Sequence, residues 1–239
     1  MPRRRRMYLR HVPCHVVQRG NNRQPTFFAL EDRLYYLDCL AEACARHAVA
    51  VHAYVLMTNH VHLLMTPREA PEGISRVMQS LGRRYVQHVN ARHGRTGTLW
   101  ESRHKAGLVE GDAHLLACSR YIEANPVRAR MVEAPGDYPW SSYPANAHGA
   151  PTRCPVVPHA AYLGLASGPD ACRSAYRELF TADCRGDQTG AIRAALAMSL
   201  PYGSESFRAH VEKSLGRGLG QPYRGRPRSS AGKNVTDPI

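Results

Sequence analysis

Two histidines separated by one residue, His60 and His62, are the side chains of this sequence most suited to chemistry. Side chains at positions i and i+2 of a β-strand point to the same face, which would place the two imidazoles about 7 Å apart along the strand. They could converge on one cation, while Val61, Leu63 and Met65 would point into a core. Polar groups inside an apolar strand carry a desolvation cost unless they have a partner. A metal site and a pair of ordinary half-buried histidines are both compatible with this motif alone.

A second motif, Tyr121-Ile-Glu-Ala-Asn125-Pro126, follows a stretch in which apolar residues recur at helical spacing. Tyr121 and Asn125 are at positions i and i+4 of this predicted helix, which puts them on one face, about 5–6 Å apart at Cβ. Pro126 disfavours the helical conformation at Asn125 and is predicted to end or bend the helix. The motif presents a phenol and a carboxamide together. A core tyrosine followed by an ordinary Asn-Pro helix stop stays open as the alternative.

Together the two motifs resemble the HUH single-tyrosine nucleases, and within them the IS200-like and the REP-associated tyrosine transposases. The resemblance covers about residues 8–147 and rests on five blocks in the same order, which are Val17–Gln24, Asn59–Leu64, Arg95–Glu101, Tyr121–Val127 and Tyr138–Tyr143. It implies that His60 and His62 are metal ligands and that Tyr121 is the nucleophile. It also implies Asn125 as a third ligand, although many IS200-like relatives carry Gln at that position.

These residue types suit covalent cleavage of a DNA phosphodiester, which needs an oxygen nucleophile and neutralisation of phosphate charge. Tyr121 would supply the oxygen. The resemblance implies Mg²⁺ or Mn²⁺ as the Lewis acid, and imidazole ligands favour Mn²⁺ or a transition metal. The expected product is a 5′-phosphotyrosine with a free 3′-OH that could later resolve it without a nucleotide cofactor. In agreement, the sequence contains no Gly-x-x-x-x-Gly-Lys-Ser/Thr phosphate loop.

The charge of the chain predicts a nucleic-acid partner. The formal net charge is +13, and only Lys105, Lys213 and Lys233 are lysines, so arginine supplies nearly all positive charge. Such a balance attracts phosphate, and arginine also binds base edges. A GC-rich genome would enrich arginine as well, without any function. The resemblance implies single-stranded or hairpin-forming, REP-like palindromic DNA. The candidate DNA contacts mix cationic, amide and aromatic groups, and they are Arg19, Asn21, Asn22, Arg95, Trp100, Arg103 and Lys105.

Tyr85 is a rival nucleophile because it lies beside Arg83 and Arg84 on a predicted helix. Its i+4 neighbour is Val89, so it lacks a ligand-type partner of the Asn125 kind. Tyr85 is therefore interpreted as a core or DNA-facing residue. His15 and His52 are interpreted as structural.

The elements that must position these residues follow from hydrophobic periodicity. Strands are predicted at 11–18, 49–57 and 60–65, and helices at 30–48 and 74–93. The stretch 95–109 is predicted to be a loop that leads into a fourth strand, and the Tyr121 helix follows. This order is the βαββαβ pattern of a ferredoxin-like α+β sandwich, with an antiparallel sheet and packed helices. The hairpin formed by the second and third strands would place the His pair at an accessible end of the sheet.

The composition and the hydrophobic pattern of the sequence change after residue 147. We therefore divide the chain into a transposase-like domain (1–147), a helical extension (148–215) and a basic tail (216–239). The extension begins with a Pro- and Gly-rich linker and contains predicted helices at 159–163, 170–180, 188–199 and 204–215. It could be a helix-turn-helix-like DNA reader or a packing cap. The tail lacks apolar periodicity and is expected to be disordered. Within it Arg224, Arg226 and Arg228 form an Arg-Gly-Arg-Pro-Arg run, typical of minor-groove insertion or of generic phosphate binding.

Several protein classes are disfavoured. Seven cysteines, without a Cys-x-x-Cys pair, argue against a disulfide framework or a structural zinc site. The sequence contains no run of 18 apolar residues, so no transmembrane helix is predicted. The arginines at positions 3–6 are not followed by the apolar stretch of a secretory signal. We therefore expect a cytoplasmic, nucleoid-associated protein.

The sequence thus predicts a metal-dependent single-stranded DNA endonuclease and strand transferase. One alternative is a sequence-specific DNA-binding regulator that keeps the fold without cutting. Another is a zinc hydrolase with a water nucleophile, but no glutamate lies at the His-Glu-x-x-His spacing. Glu123 is two residues beyond Tyr121, about 200° around the helix, and should face away. Monomer and homodimer both stay open, and with them whether Tyr121 meets the His pair of its own chain.

Overall fold

The computed structural model describes residues 6–181, 187–216 and 218–219. One antiparallel sheet has the strand order β2-β3-β1-β4. Its strands are β1 (Cys14–Arg19), β2 (Val49–Leu56), β3 (His60–Pro67) and β4 (Lys105–Leu108). Helix α1 (Leu30–Arg46) connects β1 to β2, and helix α2 (Gly73–Arg92) connects β3 to β4. The predicted ferredoxin-like α+β arrangement is therefore confirmed.

Side chains alternate between the two faces of the sheet along β3, as predicted. Val61, Leu63 and Met65 are fully buried in the core that contains residues of α1 and α2. His60, His62 and Leu64 alternate with them and so point to the opposite face of the sheet. The two histidines therefore share one face.

Helix α3 (Ala113–Glu123) covers the face of the sheet that carries the histidines. Its Leu115, Cys118 and Ile122 form a second core with Val55 and Leu64 of the sheet. Helices thus cover both faces of the sheet, and this second layer brings the Tyr121 helix to the His pair.

The helix bends just before Asn125. Helix α3 ends at Glu123, and the short helix α4 (Asn125–Arg128) begins after Ala124. Pro126 lies in the first turn of α4, where its missing N–H is not needed by the helix. The predicted bend is therefore present, and Asn125 begins a new turn instead of ending the old one.

The end of the transposase-like domain packs on β2. The hydroxyl of Tyr138 donates to the backbone oxygen of Leu56 at 2.7 Å, and the backbone N–H of Leu56 donates to the oxygen of Trp140 at 2.9 Å. Helix α5 (Tyr143–His148) follows, with Tyr143 buried. Trp140 packs against both main cores, and Tyr143 packs in a smaller cluster with Tyr176 and Leu116.

The extension also belongs to this packed body. Its helices are α6 (Ala160–Leu163), α7 (Pro169–Thr181), α8 (Asp187–Met198) and α9 (Glu205–Leu215). Between α8 and α9, the N–H of Tyr202 donates to the oxygen of Leu108 at 2.8 Å, and the N–H of Glu110 donates to the oxygen of Tyr202 at 2.9 Å. The chain after α8 therefore forms a parallel bridge, Tyr202 with Val109, on the outer side of β4 at its C-terminal end.

Some sequence predictions concern residues that the structure does not describe. Arg224, Arg226 and Arg228 lie outside the described residues, so their part in DNA binding stays a prediction. The six described cysteines are free and buried. In the described part of the chain, no helix has both the length and the apolar character needed to cross a bilayer.

Candidate active site

The imidazoles of His60 and His62 lie at the centre of the site. Their ring centroids are 5.1 Å apart. Asn59 donates its Nδ2–H to the backbone oxygen of Arg23 at 2.8 Å, so its Oδ1 is left to accept from Nδ1–H of His60 at 2.7 Å. His62 bonds through Nδ1 as well, to Nε2 of His15 at 2.8 Å. Among the described residues, neither imidazole forms a hydrogen bond through its Nε2 atom.

Burial keeps these imidazoles neutral. Burial, and to a smaller degree the charge of Arg19, together lower the pKa of His60 to about 4. The pKa of His62 is held well below its usual range, first by burial and then by His15 and His60. A metal ligand must be an unprotonated imidazole. At neutral pH the pair is therefore in the state that binds a cation.

His15 acts as the orienting partner of His62. It is buried in β1, and its ring stacks on that of His62 with centroids 5.1 Å apart. When His62 presents the Nε2 lone pair, its Nδ1–H donates and Nε2 of His15 accepts. A second ring nitrogen held in this way fixes both the tautomer and the direction of a metal-binding histidine.

Tyr121 enters the same site from α3. Its ring lies edge-on to His62 and to His15, with centroid distances of 5.8 Å in both cases. The guanidinium of Arg128 lies 4.3 Å from the centroid of the Tyr121 ring, and it also donates to the backbone oxygen of Tyr121. The phenol therefore lies beside the His pair of its own chain and contacts the guanidinium of Arg128.

Asn125 completes a donor set that suits a divalent metal. Its side chain is 9% exposed, and its Nδ2 is buried without a hydrogen-bond partner. Rotation of the carboxamide by 180° exchanges its nitrogen and oxygen, so the end that lacks a partner can present an oxygen ligand. Among the described residues no three His, Cys, Asp or Glu side chains cluster as metal ligands. The side chains that could hold a cation here are two imidazoles and an amide.

A cleft of about 420 Å³ joins these groups. Its charged lining residues are four cations and one acid, namely Arg19, Arg103, Lys105, Arg193 and Glu101. His60, His62, Tyr121 and Asn125 all line the same cleft. The cationic side chains could hold the phosphate backbone of a nucleic acid in the cleft, next to the neutral histidines, Asn125 and the phenol of Tyr121.

The predicted DNA contacts do not all lie here. Asn21 and Asn22 form a 3-10 turn directly after β1 and are absent from the cleft lining. Arg95 lies over the exposed ring of Phe28, with its guanidinium 5.0 Å from the ring centroid. Trp100 is only 7% exposed and packs 6.1 Å from Tyr85 in the core. The Trp100 ring is therefore packed in the core, and a part of Trp100 in DNA binding stays a prediction.

The structure also settles two interpretations left open by the sequence. Tyr85 is fully buried, and its hydroxyl donates to the oxygen of Thr26 at 2.6 Å, so it is a core residue. Glu123 faces away from the His pair, as predicted. It is fully buried and accepts from Ser142 at 2.5 Å, from Tyr176 at 2.7 Å and from Asn146 at 2.8 Å.

Sequence reasoning missed three residues of the site. Arg128 is seven positions after Tyr121, a spacing of two helical turns that could have placed it on the same face. His15 is four positions before Arg19, so strand alternation puts both on one face, but its contact with His62 depends on the register of β1 with β3. Arg193 lies far along the chain, and no local pattern connects it to the cleft.

Comparison with known proteins relates this fold to transposases. Residues 9–125 match the family model described as transposase, IS200 like. The matched segment contains all four strands, the His pair, Tyr121 and Asn125. Among solved structures, a REP-associated tyrosine transposase bound to a REP hairpin has 18% identity and a TM-score of 0.52, covering 67% of this chain and 96% of its own.

A candidate transposase from Deinococcus radiodurans R1 has 20% identity and a TM-score of 0.34, covering 54% of this chain and 92% of its own. No curated protein matches the sequence.

Proposed function

We propose that this protein is a metal-dependent single-stranded DNA endonuclease and strand transferase. The observation that carries the proposal is one cleft in which a neutral His pair, each ring held through Nδ1, faces Tyr121 and Asn125 of the same chain. The neutral ligand set leaves the full charge of a bound cation for the phosphate. A phenol beside such a site suits transesterification, because its oxygen is both a nucleophile and a leaving group.

His60, His62 and Asn125 would hold Mg²⁺ or Mn²⁺, which supplies Lewis-acid polarisation of the scissile phosphate when bound. The oxygen of Tyr121 attacks phosphorus, and the bond from phosphorus to the 3′-oxygen breaks. The phenolic proton leaves to water, and the departing 3′-oxygen takes up a proton. The products are a 5′-phosphotyrosine and a free 3′-OH. Because the number of phosphoester bonds is unchanged, a 3′-OH can later displace Tyr121 without an external energy source.

The proposed substrate is single-stranded DNA that forms hairpins. The similar solved structure is of a transposase bound to a REP hairpin. The cationic rim formed by Arg19, Arg103 and Lys105 suits a phosphate backbone that enters the cleft. A single strand can place its phosphate beside a recessed tyrosine more readily than a stiff duplex can.

A covalent-capture assay tests the proposal. Protein is mixed with Mn²⁺ and a 3′-labelled pool of hairpin-forming single strands, and denaturant-resistant protein–DNA bands are counted on a gel. The proposal expects a band that disappears with Tyr121→Phe, with the double substitution His60→Ala/His62→Ala, and with chelator. A band that survives Tyr121→Phe contradicts the assignment of the nucleophile. Tight binding without any band for the wild-type protein would favour the non-cleaving regulator instead.

A further inference from the structure

One wall of the cleft comes from outside the segment that matches the transposase family. Helix α8 of the extension contributes Arg193, Leu196 and Ala197 to the lining. These positions are i, i+3 and i+4, which share one face of a helix. The match to the family ends at residue 125, so this wall is an addition to the domain.

The placement of α8 is fixed by packing on its other face. Ile192 and Ala195 are buried in the core that also contains Leu115, Cys118 and Tyr121 of α3. The chain after α8 is then pinned to the edge of β4 through the hydrogen bonds of Tyr202. Helix α8 is thus held beside the cleft by core packing along its length and by backbone hydrogen bonds just after its C-terminal end.

The segment that follows α8 is anchored at a second point. Glu110, just beyond β4, accepts from both the backbone N–H of Ser204 at 2.7 Å and its hydroxyl at 2.9 Å. Gly107 of β4 approaches the same segment so closely that a Cβ there would lie 2.8 Å from the oxygen of Leu200. These contacts hold the C-terminal end of α8 against the sheet.

Arg193 has the environment of an anion-binding residue. Its side chain is exposed at the cleft and forms no hydrogen bond or ion pair with any described residue. Partial burial lowers the pKa of the neighbouring Arg128 to about 10, and the positive charge of Arg193 contributes to that shift. Two guanidiniums that repel each other beside a tyrosine gain from an anion placed near both.

We propose that Arg193 binds a backbone phosphate of the DNA strand in the cleft, so that the extension completes the DNA-binding site of the transposase domain. The inference rests on the proposed function for the identity of the ligand. The planar guanidinium suits bidentate binding of phosphate oxygens. The extension is then a binding element of the active site and contributes more than packing.

The first test is binding in a background that cannot cleave. Tyr121→Phe protein is titrated with a fluorescent single-stranded oligonucleotide at several salt concentrations, without metal. Addition of Arg193→Ala should weaken binding and reduce the slope of log affinity against log salt by about 0.7, the value for one phosphate contact on a single strand. Arg193→Lys should restore most of the slope. Arg208→Ala is the matched control, because Arg208 is an exposed arginine of the extension that does not line the cleft.

The inference is overturned if Arg193→Ala and Arg208→Ala change affinity and slope equally. Covalent capture with the same substitutions in the wild-type background separates this failure from failure of the proposed function. Suppose that the adduct depends on Tyr121, and that Arg193→Ala and Arg208→Ala give the same adduct yield and the same salt slope. The role of Arg193 is then rejected, while the proposed function stands. Absence of any wild-type adduct, with a slope reduced only by Arg193→Ala, rejects the cleavage reaction and supports the phosphate contact.

Discussion

At the scale of single residues, the candidate site depends on the direction of two neutral imidazoles. The sequence predicted their pairing because alternation along a strand is a local property. It did not predict the hydrogen bond between His15 and His62, because that contact exists only through the pairing of β1 with β3. A metal-binding histidine whose other nitrogen is held loses less freedom on ligation, so His15 should influence metal affinity without touching the ion.

His15→Ala should therefore weaken Mn²⁺ binding by about 10–100-fold, the usual effect of removing the partner of a ligating histidine. His15→Gln should retain more affinity, since its amide oxygen can accept from Nδ1–H of His62. Titration calorimetry of the metal-free protein measures both constants, and circular dichroism checks that each variant folds. An unchanged Mn²⁺ affinity in His15→Ala would show that His62 is oriented by other contacts.

The guanidinium of Arg128 should help Tyr121 to react. A cation over the ring stabilises negative charge that develops on the phenol during attack, by about 0.5–2 kcal/mol. Arg128→Gln should therefore slow adduct formation by about 2- to 30-fold. Single-turnover capture at saturating DNA measures this rate. Arg208→Gln serves as the charge-matched control, and equal rates in the two variants would contradict a specific role for Arg128.

At the scale of elements, the spacing of apolar residues along the chain predicted the bounds of several helices closely. For example, the predicted helix at 30–48 is α1 (Leu30–Arg46), and the predicted helix at 188–199 is α8 (Asp187–Met198). The pattern could not show which elements meet. Burial of Trp100 and the position of α8 beside the cleft both follow from tertiary packing, which local periodicity does not encode.

The junction between β4 and the extension gives an element-scale prediction. Gly107→Ala places a Cβ 2.8 Å from the backbone oxygen of Leu200, so the two segments must separate. We expect a loss of about 1–3 kcal/mol in the free energy of unfolding. Gly82→Ala is the matched control, since in the described part of the chain its Cβ position meets no atom of another element within 4 Å, and its helix should gain about 0.5–1 kcal/mol. Urea denaturation measures both, and equal effects would argue against a close junction.

At the scale of the whole molecule, burial of neutral histidines links stability to pH. The pKa of His104 is lowered to about 3, first by burial and then by the charges of Arg6 and Arg103. Burial likewise lowers the pKa of His52 to about 4. An unfolded histidine titrates near pH 6.5, so between about pH 3 and 6.5 the unfolded chain binds more protons. This contribution to stability is complete above pH 6.5 and is lost as the pH falls.

His104→Gln should flatten the dependence of unfolding free energy on pH by about 1 kcal/mol per pH unit near pH 5.5. Glutamine can keep the hydrogen bond that His104 forms with the hydroxyl of Tyr8 at 2.7 Å. Burial raises the pKa of Glu123 to about 7, so this carboxyl makes the unfolding free energy fall as the pH rises. Its effect is present in both the wild type and the variant and therefore cancels in the comparison. Denaturant titrations from pH 5 to 7 measure the slopes. His11→Gln, at an exposed position, is the control, and a slope unchanged by His104→Gln would contradict the prediction.

The last whole-molecule property is that one chain contains every part of the candidate site. Tyr121 lies beside His62 of its own chain, and the segment after α8 bridges to the C-terminal end of β4. Catalysis in cis predicts that a mixture of Tyr121→Phe protein with His60→Ala/His62→Ala protein stays inactive in covalent capture. If instead tyrosine and histidines met across two chains, mixed dimers would regain some sites with both intact. Co-expression of the two variants with different tags, followed by capture of protein carrying both tags, ensures that subunit exchange does not limit the test. Recovery of adduct in that material would show that the functional site is assembled between chains.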